Sequence, residues 1–497
     1  MAKRSVLSRP LPDSSLPRNT FDRSFFKNLN WSSGMLLPVF CQFVPAGSSG
    51  QINRSIFMRT NAVNTAAFPK LDTHIDFYKV PLKLLMTRYN EFKLNISDAN
   101  SSSLVASGLS APPSSMPFFN IGTIYASYFG TGNTAVDDVG FSVQYGTRRL
   151  LDLLGYNDEY ITRQGQTGSG LPNMNLQTFK LQAYQKVYYD HYRNTAYESN
   201  KPEAYNADFL YTGGTGNGEY GLNEFPDLVK LHYVNYRKDF FQNIYPALNY
   251  VLSSPNGLSF YVPDNVGGFY PSINSVPEVV VNNGGVVLPA KAVATTPSGS
   301  APISVQQIRA AFALDKLMRL SAYAPKHVKD QLQARFGVKV SDASSYESQY
   351  LGSFMNDVVI GEVTATATTQ TTGSGGLTIN NNLGEIGGRG VGAEQRGKDI
   401  NFNITGDDGD SIIIGMMYSL ARSVYDSYRL DAFNFKFTRE DIFVPEFMDL
   451  GLRPITLKEV YTPSSGALTL AQFNTIIGYV PRDQDYQQYD HAEQYSL

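Results

Sequence analysis

Near the start of the chain, apolar and polar positions alternate at short range. Gly34–Val44 carries Leu36, Leu37, Val39, Phe40, Phe43 and Val44, is interrupted by Pro38 and is closed by Pro45. The polar turn AGSSG at 46–50 reverses the chain, and Gln51–Thr60 and Thr73–Leu85 read as the next two strands. In the latter, Ile75, Phe77 and Lys79 alternate with His74, Asp76, Tyr78 and Val80, the period of two of a pleated strand. Three strands joined by short turns predict an antiparallel sandwich. Toward the other end, Ser411–Leu420 (SIIIGMMYSL) predicts a strongly apolar strand after the turn GDDGD. Phe433, Phe435 and Phe437 alternate with Asn434, Lys436 and Thr438 as another half-buried strand, and Ile476–Val480 predicts a last one.

The period changes to 3.6 in three places. Arg148–Gly155 holds Leu150, Leu151, Leu153 and Leu154 on a short helix that ends at a glycine. Leu176–Glu198 places Phe179, Ala183 and Val187 four residues apart, beside Tyr184 and Tyr188. At 304–337 a helical hairpin is predicted. Ser304 and Gln307 form a capping box before the stripe Val305, Ile308, Ala311, Phe312, Leu314 and Met318. A second helix begins near Pro325 and stops before Gly337, with Val328, Leu332 and Phe336 on one face. Between these elements, 97–147 and 199–300 show little period and are rich in Ser, Gly, Asn, Pro and Tyr, which predicts long insertions over about 97–300. Thr364–Gly392 is low in complexity and reads as a mobile or extended loop. Residues 1–20, with Pro10, Pro12 and Pro17, read as an extended arm, the alternative being a disordered tail.

Composition adds that the chain hides much of its outside. Charged residues make up 17% of its 497 residues, against about a quarter in ordinary globular proteins, while Tyr (32) and Phe (30) are abundant. Tyrosine, apolar in its ring and polar at its tip, suits surfaces buried against other proteins. A net charge of −3 excludes wrapping of nucleic acid by the whole surface, so any DNA contact is local or delegated to a more basic partner. Cys41 is the single cysteine, which excludes an internal disulfide and a cysteine-built metal site, and its apolar setting predicts a buried inert thiol. The basic N-terminus lacks the apolar core of a secretory signal, and no run approaches the roughly 18–20 apolar residues of a membrane span. A protein made in a reducing cytoplasm and not inserted in a membrane is expected.

Little in the chain calls for catalysis. His74, His191, His232, His327 and His491 have no metal-site spacing. Gly216, Gly218 and Gly221 satisfy G-x-G-x-x-G, yet Pro226 and a Gly/Asn/Tyr-rich setting point to a loop rather than a dinucleotide site. Asp407, Asp408 and Asp410 admit two readings, a calcium-binding turn or a plain solvated turn, with the plain turn favoured. No catalytic residue, metal site or cofactor is assigned. For DNA the candidates are Lys3, Arg4, Arg9 and Arg18 in the N-terminal arm, with Arg54, Arg59, Arg389, Arg396 and Lys398 behind them. Phe21, Phe25 and Phe26 are available to stack on unpaired bases, although filling core or subunit contacts is the favoured reading for each.

Four stretches carry a family resemblance: 21–85 (FDRSFFKNLNWSSGMLLPVF onward), LQAYQKVYYDHYRN (181–194) with YRKDFFQNIYPALNY (236–250), SVQQIRAAFALDKLMRL onward (304–352), and GYVPRDQDYQQYDH (478–491). In this order the chain resembles the major capsid protein of the Microviridae, especially the gokushovirus-like branch. It departs in carrying SAYAPKHVK where the family usually has a Gly-Gly-Thr-Arg-Tyr-like turn, and in a shortened C-terminal extension. The resemblance implies a mainly β protein: an extended arm over 1–30, then one eight-stranded viral jelly-roll β-sandwich over 31–497 with long loop and helical insertions. It further implies self-assembly into a T=1 icosahedral shell around circular single-stranded DNA, with an internal scaffolding protein, a small basic DNA-binding protein and a host cell surface receptor as partners. An insertion within 199–300 would meet the host, and the virion capsid, assembled in the bacterial cytoplasm, would be its location. The rival readings are a jelly-roll receptor- or carbohydrate-binding viral protein and, last, an enzyme on a β-sandwich.

Overall fold

The computed structural model describes residues 19–61, 71–94, 143–164, 170–194, 198–211, 226–234, 327–340, 346–364, 399–406, 408–422, 431–437, 452–461 and 469–481, with shorter pieces between. The chain divides into two compact units, 1–32 and 33–497. Residues 19–32 of the first carry no regular secondary structure.

The second unit is mainly β. Its main sheet has six strands: β1 (Leu37–Val44), β2 (Met58–Arg59), β3 (Leu71–Pro81), β4 (Gln349–Thr364), β5 (Ile386–Gly392) and β6 (Ser411–Ala421). They form one curled antiparallel sheet in the order β1-β6-β3-β4-β5-β2. Among the described residues the remaining strands form two-stranded ribbons, so this part of the chain is a half-barrel with ribbons.

The centre of the sheet is apolar on both faces. Ile412, Ile413, Ile414, Met416 and Met417 of β6 are buried, as are Ile75, Phe77, Tyr78 and Val80 of β3. The alternation in β3 is therefore not core against water, because both faces are covered and each polar member has a partner. Lys79 pairs with Asp408 at 2.8 Å, Asp76 accepts the Tyr192 hydroxyl at 2.8 Å, and Asp72 pairs with Arg422 at 2.9 Å. Gly415 stands between Phe40 and Phe77 in register, and a Cβ there would lie 2.9 Å from the Phe77 ring. The missing side chain leaves room for both rings, whose centroids are 6.0 Å apart. Pro38 is tolerated because β1 is an edge strand and its register shifts between Pro38 and Phe40.

One face of the sheet is covered by helix α2, and a second helix, α1, packs against β1. These are α1 (Val143–Leu154) and α2 (Phe179–Val187). Helix α1 ends at Gly155 (φ 83°), as its sequence predicts. Every residue of α2 except Lys180 is buried. Its polar groups are satisfied inside: Gln185 donates to the carbonyls of Leu228 and Lys230 at 2.9 Å, Gln182 to the Tyr220 hydroxyl at 2.8 Å, and the Tyr184 hydroxyl to the Leu36 carbonyl at 3.0 Å.

Several expectations are corrected. The helix expected over Leu176–Glu198 is shorter: Asn175–Gln177 pairs as a strand with Phe118–Asn120, and α2 passes into a π-helical turn, Tyr188–Tyr192. The strand expected over Thr73–Leu85 ends at Pro81, which lacks the N–H to continue the ladder, and Leu82–Leu85 forms one helical turn. Phe433, Phe435 and Phe437 do not lie on a strand. Asp431 accepts the Phe433 N–H at 2.8 Å and caps a 3₁₀ turn, Ala432–Phe435. The Thr364–Gly392 loop contains strand structure: Thr369–Gly373 pairs with Gly376–Asn380, and β5 pairs along β4. Backbone hydrogen bonds, which leave no apolar period, carry these pairings. Cys41 is half-buried in β1 rather than buried. Of the hairpin over 304–337, the second helix, α3 (Val328–Phe336), is described and ends at Gly337 (φ 67°). Most of the first helix lies outside the described residues. No described helix is long and apolar enough to cross a membrane.

Candidate functional site

Lys3, Arg4, Arg9 and Arg18 lie outside the described residues, as do Arg396 and Lys398, and only the backbone of Arg389 is described, on β5. Arg54 is drawn into the fold: its guanidinium stacks 4.4 Å above the Phe354 ring and donates to Asn356 at 3.2 Å. Burial lowers its pKa to about 10, which leaves it charged at neutral pH, held inside the fold by the Phe354 ring and Asn356. Arg59 sits 6.0 Å from the Phe57 ring on the edge strand β2. Phe21, Phe25 and Phe26 are all exposed.

Asp408 and Asp410 of the GDDGD turn are buried among protein donors rather than solvated, while Asp407 lies outside the described residues. Asp408 accepts from Lys79 (2.8 Å) and the Thr405 hydroxyl (2.7 Å). Asp410 accepts from Lys93 (2.6 Å), the Tyr89 hydroxyl (2.8 Å) and the Ala46 N–H (3.0 Å). Burial alone would raise both carboxyl pKa values, but the donors outweigh it and hold both below the usual carboxylate range. The turn is thus a clamp that ties β6 to β3 and to the 89–94 helix. The G-x-G-x-x-G stretch is likewise structural where described. The Gly218 carbonyl accepts from the Phe118 N–H, the Tyr220 N–H donates back to the Phe118 carbonyl, and a 3₁₀ turn, Pro226–Val229, follows.

The fold gathers histidines that the sequence scatters. His191, in the π turn, lies 4.6 Å from Tyr78 and 6.4 Å from His327, ring to ring. His191 Nε2 is 2.9 Å from both the carbonyl and the hydroxyl of Ser348, and that hydroxyl donates to Asp190 at 2.8 Å. Because a carbonyl only accepts, the partners assign the proton to Nε2. Asp190 also accepts from Lys186 at 2.9 Å. His232 is fully enclosed, stacked on Tyr188 at 3.6 Å and bonded to Gln185 at 2.7 Å. His74 stacks on Tyr418 at 5.2 Å, and His491 lies outside the described residues. Among the described residues no group of three or more His, Cys, Asp or Glu side chains is arranged to hold a metal.

The feature that the sequence pattern does not reveal is the outer surface. Phe57, Phe336, Val338, Phe433, Phe437 and Ile442 are each more than half exposed, with Phe437 at 85%. The helical spacing of Val328, Leu332 and Phe336 marks a stripe that ought to be covered, yet α3 buries no residue. Amphipathic period signals only that an apolar face needs cover, not which chain supplies it.

A search of the curated proteins finds no match. A model of the family described as Capsid protein (F protein) matches residues 155–494, about two thirds of the chain, and takes in the resembling stretches at 181–194, 236–250, 304–352 and 478–491. That family is structural and self-assembling, in keeping with large apolar side chains left in water. The chain belongs to the capsid F-protein family, the major capsid proteins of the Microviridae.

Proposed function

We propose that the chain is the repeating subunit of a small T=1 icosahedral shell around a circular single-stranded DNA genome, built on an eight-stranded jelly roll. The observation that carries this reading is the exposed apolar surface of Phe57, Phe336, Val338, Phe433, Phe437 and Ile442 on a unit that has an apolar core of its own. Side chains of that size in water favour association, and repeated heterologous contacts whose rotations close produce a shell without catalysis. The net charge of −3 leaves phosphate neutralisation to the arm cations Lys3, Arg4, Arg9 and Arg18 and to a small basic DNA-binding protein. An internal scaffolding protein guides assembly in the bacterial cytoplasm, and an insertion within 199–300 meets the host surface receptor.

The test is to express the full chain with and without its scaffold and to examine it by electron microscopy and light scattering. Uniform particles of one diameter, burying well above about 2,000 Å² per chain, are expected. A stable monomer in the presence of scaffold overturns the reading. A small trimer that binds sugars and forms no shell moves it to a receptor-binding module.

A further inference from the structure

Helix α3 is joined to the rest of the subunit in an unusual way. It buries no residue, and polar ties hold its N-terminal end. His327 Nδ1 donates to Glu347 at 3.1 Å, Lys329 donates to Asp342 at 2.6 Å, and the same lysine stands 3.9 Å from the other Glu347 oxygen. Stacked beneath the His327 ring is that of His191.

We propose that His191 and His327 form a two-sided pH latch, which holds α3 most tightly to the subunit while the inner ring is neutral and the outer ring is charged. On the alkaline side, loss of the His327 proton turns a charge-assisted bond to Glu347 into an ordinary one, leaving Lys329 as the remaining cation. On the acid side, a proton on His191 would place two imidazolium rings 6.4 Å apart.

The surroundings are arranged for this division. The hydrogen bond from His327 to Glu347 raises its pKa against the effect of burial, with Asp190 and Asp330 acting in the same direction. Burial lowers the pKa of His191, against the opposing pull of Asp190 and the Ser348 carbonyl, while His327 and Lys329 repel its charge. Asp190 is already engaged by Lys186 and Ser348, and Tyr78, packed against His191, is itself pushed far from ionisation by burial. The favourable window thus lies between a lowered inner histidine and a raised outer one, bracketing the ordinary value of about 6.5.

Hydrogen exchange of residues 327–340, followed in the unassembled full chain at pH 5, 6.5 and 8.5 and corrected for intrinsic rates, tests the latch independently of shell formation. Exchange is expected to be slowest near pH 6.5 and about two- to fivefold faster on both sides, the size of a partly exposed ion pair's effect. Glu347→Gln should abolish the alkaline rise alone. His191→Gln, which keeps an N–H for the Ser348 carbonyl, should abolish the acid rise alone. Should H191Q fail to fold, His327→Gln at the outer ring should flatten both limbs. A wild-type profile flat in pH, or one unchanged in these variants, overturns the proposal. So does an acid limb accompanied by equal loss of protection in residues 179–187, which would mark general unfolding.

Discussion

Helices α2 and α3 are both nine residues long and both carry apolar residues four apart, Phe179, Ala183 and Val187 in one and Val328, Leu332 and Phe336 in the other. Their fates are opposite. Helix α2 is sealed against the sheet, and Gln182, Tyr184 and Gln185 spend their hydrogen bonds on named partners in the interior. Helix α3 turns Val328 and Phe336 to water and is held by charged groups at one end. The first helix therefore serves the stability of the single chain. The second is a surface feature whose apolar residues contribute little until something covers them.

The largest effect that separates the two is cavity formation. Leu181→Ala, at a fully buried position of α2, is expected to lower unfolding stability by about 2–5 kcal/mol, read from denaturant midpoints. A loss below about 1 kcal/mol would show that α2 is not part of the cooperative core.

A smaller effect comes from acid. Burial holds the pKa of His232, and that of His191, below the ordinary value, so the unfolded chain binds the proton more readily than the folded one. Stability from these groups is present above about pH 6.5 and falls as the pH drops below it, by at most about 1.4 kcal/mol per pH unit for each. His327 has the opposite sign: its raised value contributes below about pH 6.5 and is lost as the pH rises through the folded value. Thermal unfolding of wild type and of His232→Gln between pH 7 and 5 checks the fully enclosed histidine, since the variant should lose much of the acid slope.

The smallest effect is on α3. Phe336→Ser should change the stability of the unassembled chain by no more than about 0.5 kcal/mol while lowering the yield of assembled particles. A large loss of stability would mean that the chain itself covers this residue. Unchanged particle yield would remove α3 from the contacts between copies.

Wherever local chemistry decides, the sequence is readable. The apolar run Ser411–Leu420 is β6, the glycine stops at Gly155 and Gly337 are left-handed helix ends, and Ile476–Val480 is a strand paired with Leu452–Thr456. The mainly β class and the capsid family are legible as well, the first from alternation and turns and the second from ordered motifs. Less is readable where the partner is far away in the chain. The low-complexity stretch gives no sign that 386–392 pairs along β4, and the phenylalanine alternation at 433–437 is overridden by the local Asp431 cap.

Read alone, the chain tells which segments are apolar, where they turn and to which family they belong. Packing between distant segments settles which apolar faces the chain covers itself, that Lys79 and Lys93 pair with Asp408 and Asp410, and that the His191 ring comes within 6.4 Å of the His327 ring. The reason is physical: periodicity and turn propensity act over a few residues, whereas burial, pairing and pKa depend on groups brought together from hundreds of residues apart.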